Sequence, residues 1–300
     1  MHNHQHDIKL SKQRFTLVTL LNLAITLAEI IGGLLSGSLA LLSDAFHNFG
    51  DSFAIILSYS AQLIAGQKRS PSQTYGYKRA EILAALLNSL FLVVMSVFLS
   101  FAALKRLGHP ETIDGPVMLT VAIIGLLANL ISALLLASSS KHNLNIKATY
   151  LHILSDALSS LAVIGVGLVL TFIPADWIDP LLTILVSGYI IWEAWPIIKK
   201  TLIILMEAAP DLDYAAIKAD ILQIPNVTSI HHIHAWMIDE HDIIFSAHIN
   251  LSNCQLSQAE VIYSQIERLL QTKYHISHTT IQAEYQRGLN EDLFDSKNPY

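Results

Sequence analysis

The 300-residue chain is 52% hydrophobic and 14% charged, well short of the roughly 25% charged residues of a soluble domain, so the composition points to a membrane protein. A formal net charge of -6 with His neutral leaves no basic face for a phosphate backbone, which excludes nucleic acid as a partner. The single cysteine, Cys254, excludes an intrachain disulfide and any Cys-x-x-Cys knuckle, so metal chemistry must rest on carboxylates and the 14 histidines.

Residues 1–13 form a polar N-terminal segment with His2, His4 and His6, a weak zinc collector or neutral decoration. It lacks the pattern of a signal peptide, and the apolar run that follows is long enough to be kept as a spanning helix. Over residues 14–206 six segments reach the roughly 20 apolar residues a bilayer core requires: 14–36, 39–65, 79–105, 115–139, 146–173 and 177–204. Breakers separate them: Gly37-Ser38, GQKRSPSQ, GHPETIDGP, SSSKHN and PADWIDP.

An even number of helices puts both ends on one side. That side carries Lys9, Lys12, Arg14, Lys68, Arg69, Lys78, Arg79, Lys141, Lys147, Lys199 and Lys200, against Lys105 and Arg106 on the other. The positive-inside rule then places both termini in the cytoplasm.

From about residue 207 the patterning becomes that of a soluble domain. A helix around LDYAAIKADILQ, strands around VTSIHHIHAWMI and DIIFSAHINLS, a helix over 257–274 and a strand HTTIQAEY give the order αββαβ. The expected fold class is therefore a membrane α-helical six-helix bundle followed by a small α+β ferredoxin-like domain over 207–287, with a tail at 288–300.

Two segments carry the same pair of metal-ligating side chains. In LLSDAFHNFGDSFAIILS, His47 and Asp51 are four residues apart, one helical turn, and so share a face. In ATYLHILSDALSSLAVIG, His152 and Asp156 repeat the spacing. Two nitrogens and two oxygens suit tetrahedral Zn²⁺ or its mimic Cd²⁺, whereas Mg²⁺ and Ca²⁺ want six or more oxygens. A charged Asp in the bilayer is costly unless paired and is seldom left without a use. The competing reading is a His-Asp hydrogen bond that merely fastens helices; two matched pairs weigh against it. Asp44, three residues before His47, is expected to support that ligand, and Asn22, Glu29, Asn88 and Asn129 to satisfy interhelical hydrogen bonds or line a cavity.

In the soluble domain His231, His232 and His234 crowd one strand and His248 lies on the next. His278, Thr280, Gln282 and Glu284 share one face of the last strand by period two. Some of these side chains are expected to bind metal.

The motifs SDAFHNFGDS, TYGYKRAEILAALLNSLFL, LHILSDALSS, HIHAW and HTTIQAEY together resemble the cation diffusion facilitator family of proton-coupled metal exporters, in its ZitB/CzcD-like zinc branch. The resemblance covers nearly the whole chain. It implies a homodimer in the bacterial inner membrane that exchanges cytoplasmic zinc for external protons, and His47 in place of an Asp goes with a narrower preference for zinc. It also implies cytoplasmic ligands at His231, His248 and Glu284, with Gln282 where some members have a further His. A charge pair between Arg79 and Glu207 that ties the dimer together at the membrane surface is implied too, while Tyr75 and Tyr77 stand where some members have loop ligands, so that extra zinc site is expected to be absent.

The expected function is proton-coupled zinc export by alternating access, with a cytoplasmic domain that dimerises and senses zinc. The alternatives are an intramembrane metalloenzyme, which would need an open coordination position and a general base, and a membrane-anchored zinc sensor, for which no output motif is present. No enzymatic activity is expected.

Overall fold

The apolar runs fold as helices because, without water, only a helix or a closed barrel satisfies every backbone N–H and C=O. The computed structural model describes the backbone of residues 3–109, 111–137, 144–289 and 291–294, with side chains over 17–109, 111–137, 150–289 and 291–294. His2, His4, His6 and the basic residues Lys9, Lys12, Arg14, Lys141 and Lys147 lie outside the described side chains.

Six long helices come first: α1 (Asn3–Ser36), α2 (Leu39–Ala65), α3 (Arg79–Gly108), α4 (Gly115–Ala137), α5 (Leu144–Phe172) and α6 (Ile178–Leu205). Among the described residues five of them are long and apolar enough to cross a membrane, over Leu17–Ser36, Arg79–Gly108, Gly115–Ala137, Tyr150–Phe172 and Ile178–Leu205. The remaining one, α2, has 27 residues and matches them in length. Its composition sets it apart, because Ser43, Asp44, His47, Asn48, Asp51 and Ser52 all fall on it. That polarity is turned inward: Ser43, Asp44, Asn48 and Ser52 are buried, while Leu34, Ile56, Phe101, Leu134, Leu158 and Trp192 of the bundle are exposed. Apolar outside and polar inside is the arrangement a lipid solvent selects.

The chain divides into two compact units, Met1–Ser60 with Ala84–Ile198, and Ala61–Leu83 with Lys199–Tyr300. In the first, Leu41 of α2, Met118 and Ala122 of α4, and Val163 and Val166 of α5 share one apolar cluster. Leu39 of α2 packs with Leu99 and Ala103 of α3 and with Ile184 of α6 in another. Gly167 lets α5 approach α4 so closely that a Cβ there would lie 3.2 Å from Leu119 Cα, the small-residue packing by which membrane helices associate.

The start of α2 is held by side chains rather than left to fray. Gly37 takes φ +72 in the turn before it, a conformation glycine adopts at little cost. Ser38 Oγ accepts from Leu41 N–H at 3.0 Å. Asp179, from the first turn of α6, accepts from Leu39 N–H at 2.9 Å and Ala40 N–H at 3.2 Å. The orphan N–H groups of a helix N-terminus are thus satisfied across the bundle.

The second unit contains α7 (Tyr214–Ile221), β1 (Val227–Met237), β2 (Ile243–Leu251), α8 (Leu256–Tyr274) and β3 (His278–Glu284), the expected αββαβ order. The helix expected around residues 212–223 is shorter because Asp213 caps it, accepting from Ala216 N–H at 2.9 Å. The sheet runs β1-β2-β3, β1 antiparallel to β2 and β2 parallel to β3. One face is covered by helices: Ile230, Phe245, Ala247 and Ile249 pack on Ile217 and Ile221 of α7 and on Ala259, Ile262, Ile266 and Leu270 of α8. Each of the large aliphatic side chains buried there contributes on the order of 1.5–3 kcal/mol. The alternate residues His248, Gln282 and Glu284 therefore belong to the opposite face.

Candidate metal sites

The first unit brings His47, Asp51, His152 and Asp156 together, each offering one ligand atom, all within 4.8 Å of one another. The two shortest contacts run between the helices. His152 Nε2 of α5 lies 3.0 Å from Asp51 Oδ2 of α2, and His47 Nε2 of α2 lies 3.7 Å from Asp156 Oδ1 of α5. Within α5, His152 Nε2 and Asp156 Oδ2 are 3.9 Å apart. A tetrahedron with metal-ligand bonds near 2.0–2.1 Å has an edge of about 3.4 Å, which these separations bracket. Asp156 is buried, while His47, Asp51 and His152 are part-exposed, so the cluster is neither sealed nor a surface feature.

Hydrogen bonds from three sides hold α2 in place. Asp44 accepts from Ser159 Oγ at 2.9 Å and from Ser160 Oγ at 3.3 Å, tying α2 to α5 beside the cluster. Asn48 donates to Glu29 of α1 at 2.8 Å, and Asn22 of α1 donates to Ser52 at 3.2 Å. Asp179 fixes the same helix from α6. Asp44 thus serves the site by anchoring its helix to α5. Asn22 and Glu29 make interhelical bonds as expected, whereas the buried atoms Asn88 Oδ1 and Asn129 Nδ2 have no hydrogen-bond partner among the described residues.

The second unit assembles His231, His248 and Glu284, whose ligand atoms also lie within 4.8 Å of one another. The register explains this: His231 pairs with His248 across β1 and β2, and Asn250, two residues on, pairs with Glu284 of β3. Glu284 Oε2 lies 3.3 Å from His231 Nε2, and Glu284 Oε1 lies 3.3 Å from His248 Nδ1. His231 is 1% exposed, yet both its ring nitrogens, like Glu284 Oε2, lack a hydrogen-bonded partner among the described residues. Buried polar atoms without partners are costly, and a cation bound between them would remove that cost. Burial holds the His248 imidazole below the usual histidine range, with the Glu284 carboxylate opposing. The neutral ring is the form that ligates metal.

A β-bulge between His231 and His234 reshapes the strand, and His232 takes φ +51 within it. The bulge stacks the His232 ring 4.6 Å from that of His248 and sets His232 Nε2 3.3 Å from His234 Nε2. Gln282 donates to Glu284 Oε1 at 2.7 Å, orienting that carboxylate. In the same unit Arg79 reaches Glu207 at 3.2 Å within the chain. Lys78 pairs with Asp239 and Asp242, and Tyr75 packs edge-on against His278.

Sequence reasoning missed Glu291, whose Oε2 lies 3.7 Å from His231 Nε2. Apolar Leu293 and Phe294 inside an acidic tail were the available signal that this segment returns to the domain.

Residues 15–206 match the cation efflux transmembrane domain, and residues 209–286 match the cytoplasmic domain of cation efflux proteins. The chain belongs to the cation efflux family. It is similar to the zinc transporter ZitB of Pectobacterium atrosepticum, 36% identical over 95% of this chain and 89% of the relative. It is also similar to the metal cation efflux system protein CzcD of Cupriavidus metallidurans, 33% identical over 94% and 89%. A cadmium, cobalt and zinc/H(+)-K(+) antiporter of Bacillus subtilis is 34% identical over 94% and 91%. As a cation efflux protein the chain is an integral membrane transporter, in a family whose matched relatives are named transporters and efflux proteins rather than enzymes.

Proposed function

We propose that this cation efflux protein is a proton-coupled zinc antiporter of the bacterial inner membrane, with both termini in the cytoplasm, that carries Zn²⁺ between α2 and α5 on His47, Asp51, His152 and Asp156. The observation that carries the reading is the cross-helix pairing, in which each histidine nitrogen faces an aspartate oxygen of the other helix, at 3.0 Å for His152 with Asp51 and 3.7 Å for His47 with Asp156. Because each helix supplies half of the set, a relative movement of α2 and α5 opens the site without unfolding either helix. Zinc names among the relatives agree with the tetrahedral N₂O₂ set, and Cd²⁺ fits the same ligands.

Protons and zinc compete for the same atoms. Zinc arriving from the cytoplasm displaces protons from His47 and His152, and protons entering from outside displace the zinc. Each unit of pH difference supplies about 1.4 kcal/mol per proton exchanged.

The cytoplasmic domain pairs two subunits and reports cytosolic zinc through His231, His248 and Glu284. The convergence of the buried His231 and Glu284 with His248, at 3.3 Å and without hydrogen-bond geometry between His231 and Glu284, supports a bound cation there.

The test is zinc/proton exchange in proteoliposomes, with internal pH followed and Zn²⁺, Cd²⁺ and Co²⁺ offered in turn. His47→Ala and Asp156→Ala are each expected to abolish exchange while leaving a folded dimer; transport at the normal rate by either variant would refute the assignment. Zinc flux that follows an imposed potassium gradient and ignores a pH gradient would refute the proton coupling.

A further inference from the structure

The residues after β3 turn back across the open face of the sheet instead of leaving the domain. Asn250, fully buried, donates to Arg287 C=O at 2.9 Å and to Ser229 Oγ at 3.0 Å. Gly288 follows with φ +66, and a Cβ at that position would run into the His231 ring. Further on, Ile233 N–H donates to Leu293 C=O at 2.8 Å, Leu293 packs on the domain core, and the Phe294 ring meets the Tyr214 ring edge-on at 5.0 Å.

His231 owes its burial to this strap. It stands on the face of the sheet that the helices leave uncovered, yet it is 1% exposed. Between the two anchor points the strap carries Glu291, half exposed, with Oε2 3.7 Å from His231 Nε2. The cluster beneath offers two imidazoles and one carboxylate, one ligand short of a closed tetrahedral zinc site. Glu291 comes from a segment fastened by backbone hydrogen bonds and apolar contacts, which holds its carboxylate beside His231 at the edge of the cluster formed by the other three.

We infer that the C-terminal strap completes the cytoplasmic zinc site, Glu291 supplying the fourth ligand beside His231, His248 and Glu284, so that zinc binding locks the strap across the sheet. This rests on the reading of that cluster as a zinc site. The strap thereby turns metal occupancy into a change in how firmly residues 287–289 and 291–294 are held.

The experiment uses the full-length protein in detergent carrying Asp51→Ala and Asp156→Ala, so that the remaining tight zinc binding reports the cytoplasmic domain. Zinc affinity is measured by competition with a chromogenic chelator, and tryptic cleavage after Arg287, whose side chain is 80% exposed, is timed with and without zinc. In this parent, zinc is expected to slow cleavage. Glu291→Gln, an isosteric change at a half-exposed position, is expected to weaken zinc binding about tenfold or more and to abolish the protection. His231→Ala is expected to remove binding altogether. If Glu291→Gln bound zinc as tightly as the parent and kept the protection while His231→Ala lost both, the strap's role would be overturned and the zinc site would stand. If His231→Ala itself changed nothing, the zinc reading of the cluster would fall, and the inference with it.

Discussion

The two His and carboxylate clusters use similar ligands on different scaffolds, and the scaffolds differ in the way the proposed transport and sensing roles require. In the bundle the ligands come in pairs from two separate helices, and His152 keeps 41% of its side-chain exposure. In the domain the ligands come from three strands in fixed register, and the side chains of His231 and Glu284 are 1% and 5% exposed. Helices held by a few hydrogen bonds can separate and admit water, so a bound ion can leave. A hydrogen-bonded sheet keeps its ligands in fixed register, so an ion bound there comes and goes by side-chain movement and not by separation of the strands.

The largest effect expected from this contrast is in transport. Asp156→Ala or His47→Ala should lower zinc flux in proteoliposomes by at least about 100-fold, while the cytoplasmic site keeps its zinc affinity. Equal damage to both sites would break the comparison by showing that the variants unfold the protein.

A smaller effect is expected at Asp179. Its carboxylate caps α2 from α6 and is fully buried, and Asp179→Ala would leave two backbone N–H groups without partners. A cost of about 1–3 kcal/mol should appear as a lowered unfolding temperature in detergent, together with reduced flux. Asp179→Asn should recover part of both, since the amide oxygen still accepts. If Asp179→Ala matched the parent in stability, the cap would not be what steadies α2.

His231→Ala should change transport less than any bundle ligand does. The expected result is a severalfold loss of flux at low zinc that shrinks as zinc is raised, read from initial rates across a zinc titration. Abolition of transport would mean that the domain site lies on the ion's path and not beside it.

The smallest effect concerns the domain's own frame. Asp220 accepts from Lys273 and Tyr274, joining α7 to α8, and these bonds, Lys273 first, hold its carboxyl below the usual aspartate range. A depressed folded value means stabilisation that is present at neutral pH and lost as the pH falls through the folded value. Asp220→Asn should therefore lower thermal stability slightly at pH 7, with the difference from the parent vanishing in strong acid. A difference that grew on acidification would contradict the assignment.

Local regularities made much of this protein readable in advance. Apolar length announced helices, and the four-residue spacing of His47 with Asp51 and of His152 with Asp156 put each pair on one helical face. Alternation over β3 put His278, Thr280, Gln282 and Glu284 on one face of that strand. Asp179 was not legible, because an aspartate in the first turn of α6 reads as that helix's own N-terminal acid; its partners are 139 and 140 residues away.

By itself, then, the sequence determined the elements, the ligand types and the faces shared by the helical ligand pairs and by the residues around Glu284, since those follow from periods of 3.6 and 2 along the backbone. Only the tertiary structure decided that His47 meets Asp156 and His152 meets Asp51 across two helices, that α6 caps α2, and that residues after β3 fold over His231 to deliver Glu291. The physical reason is that burial and hydrogen-bond satisfaction belong to the packed molecule: which buried atoms are left without partners, and which distant carboxylate answers them, depends on contacts between segments that no local period encodes.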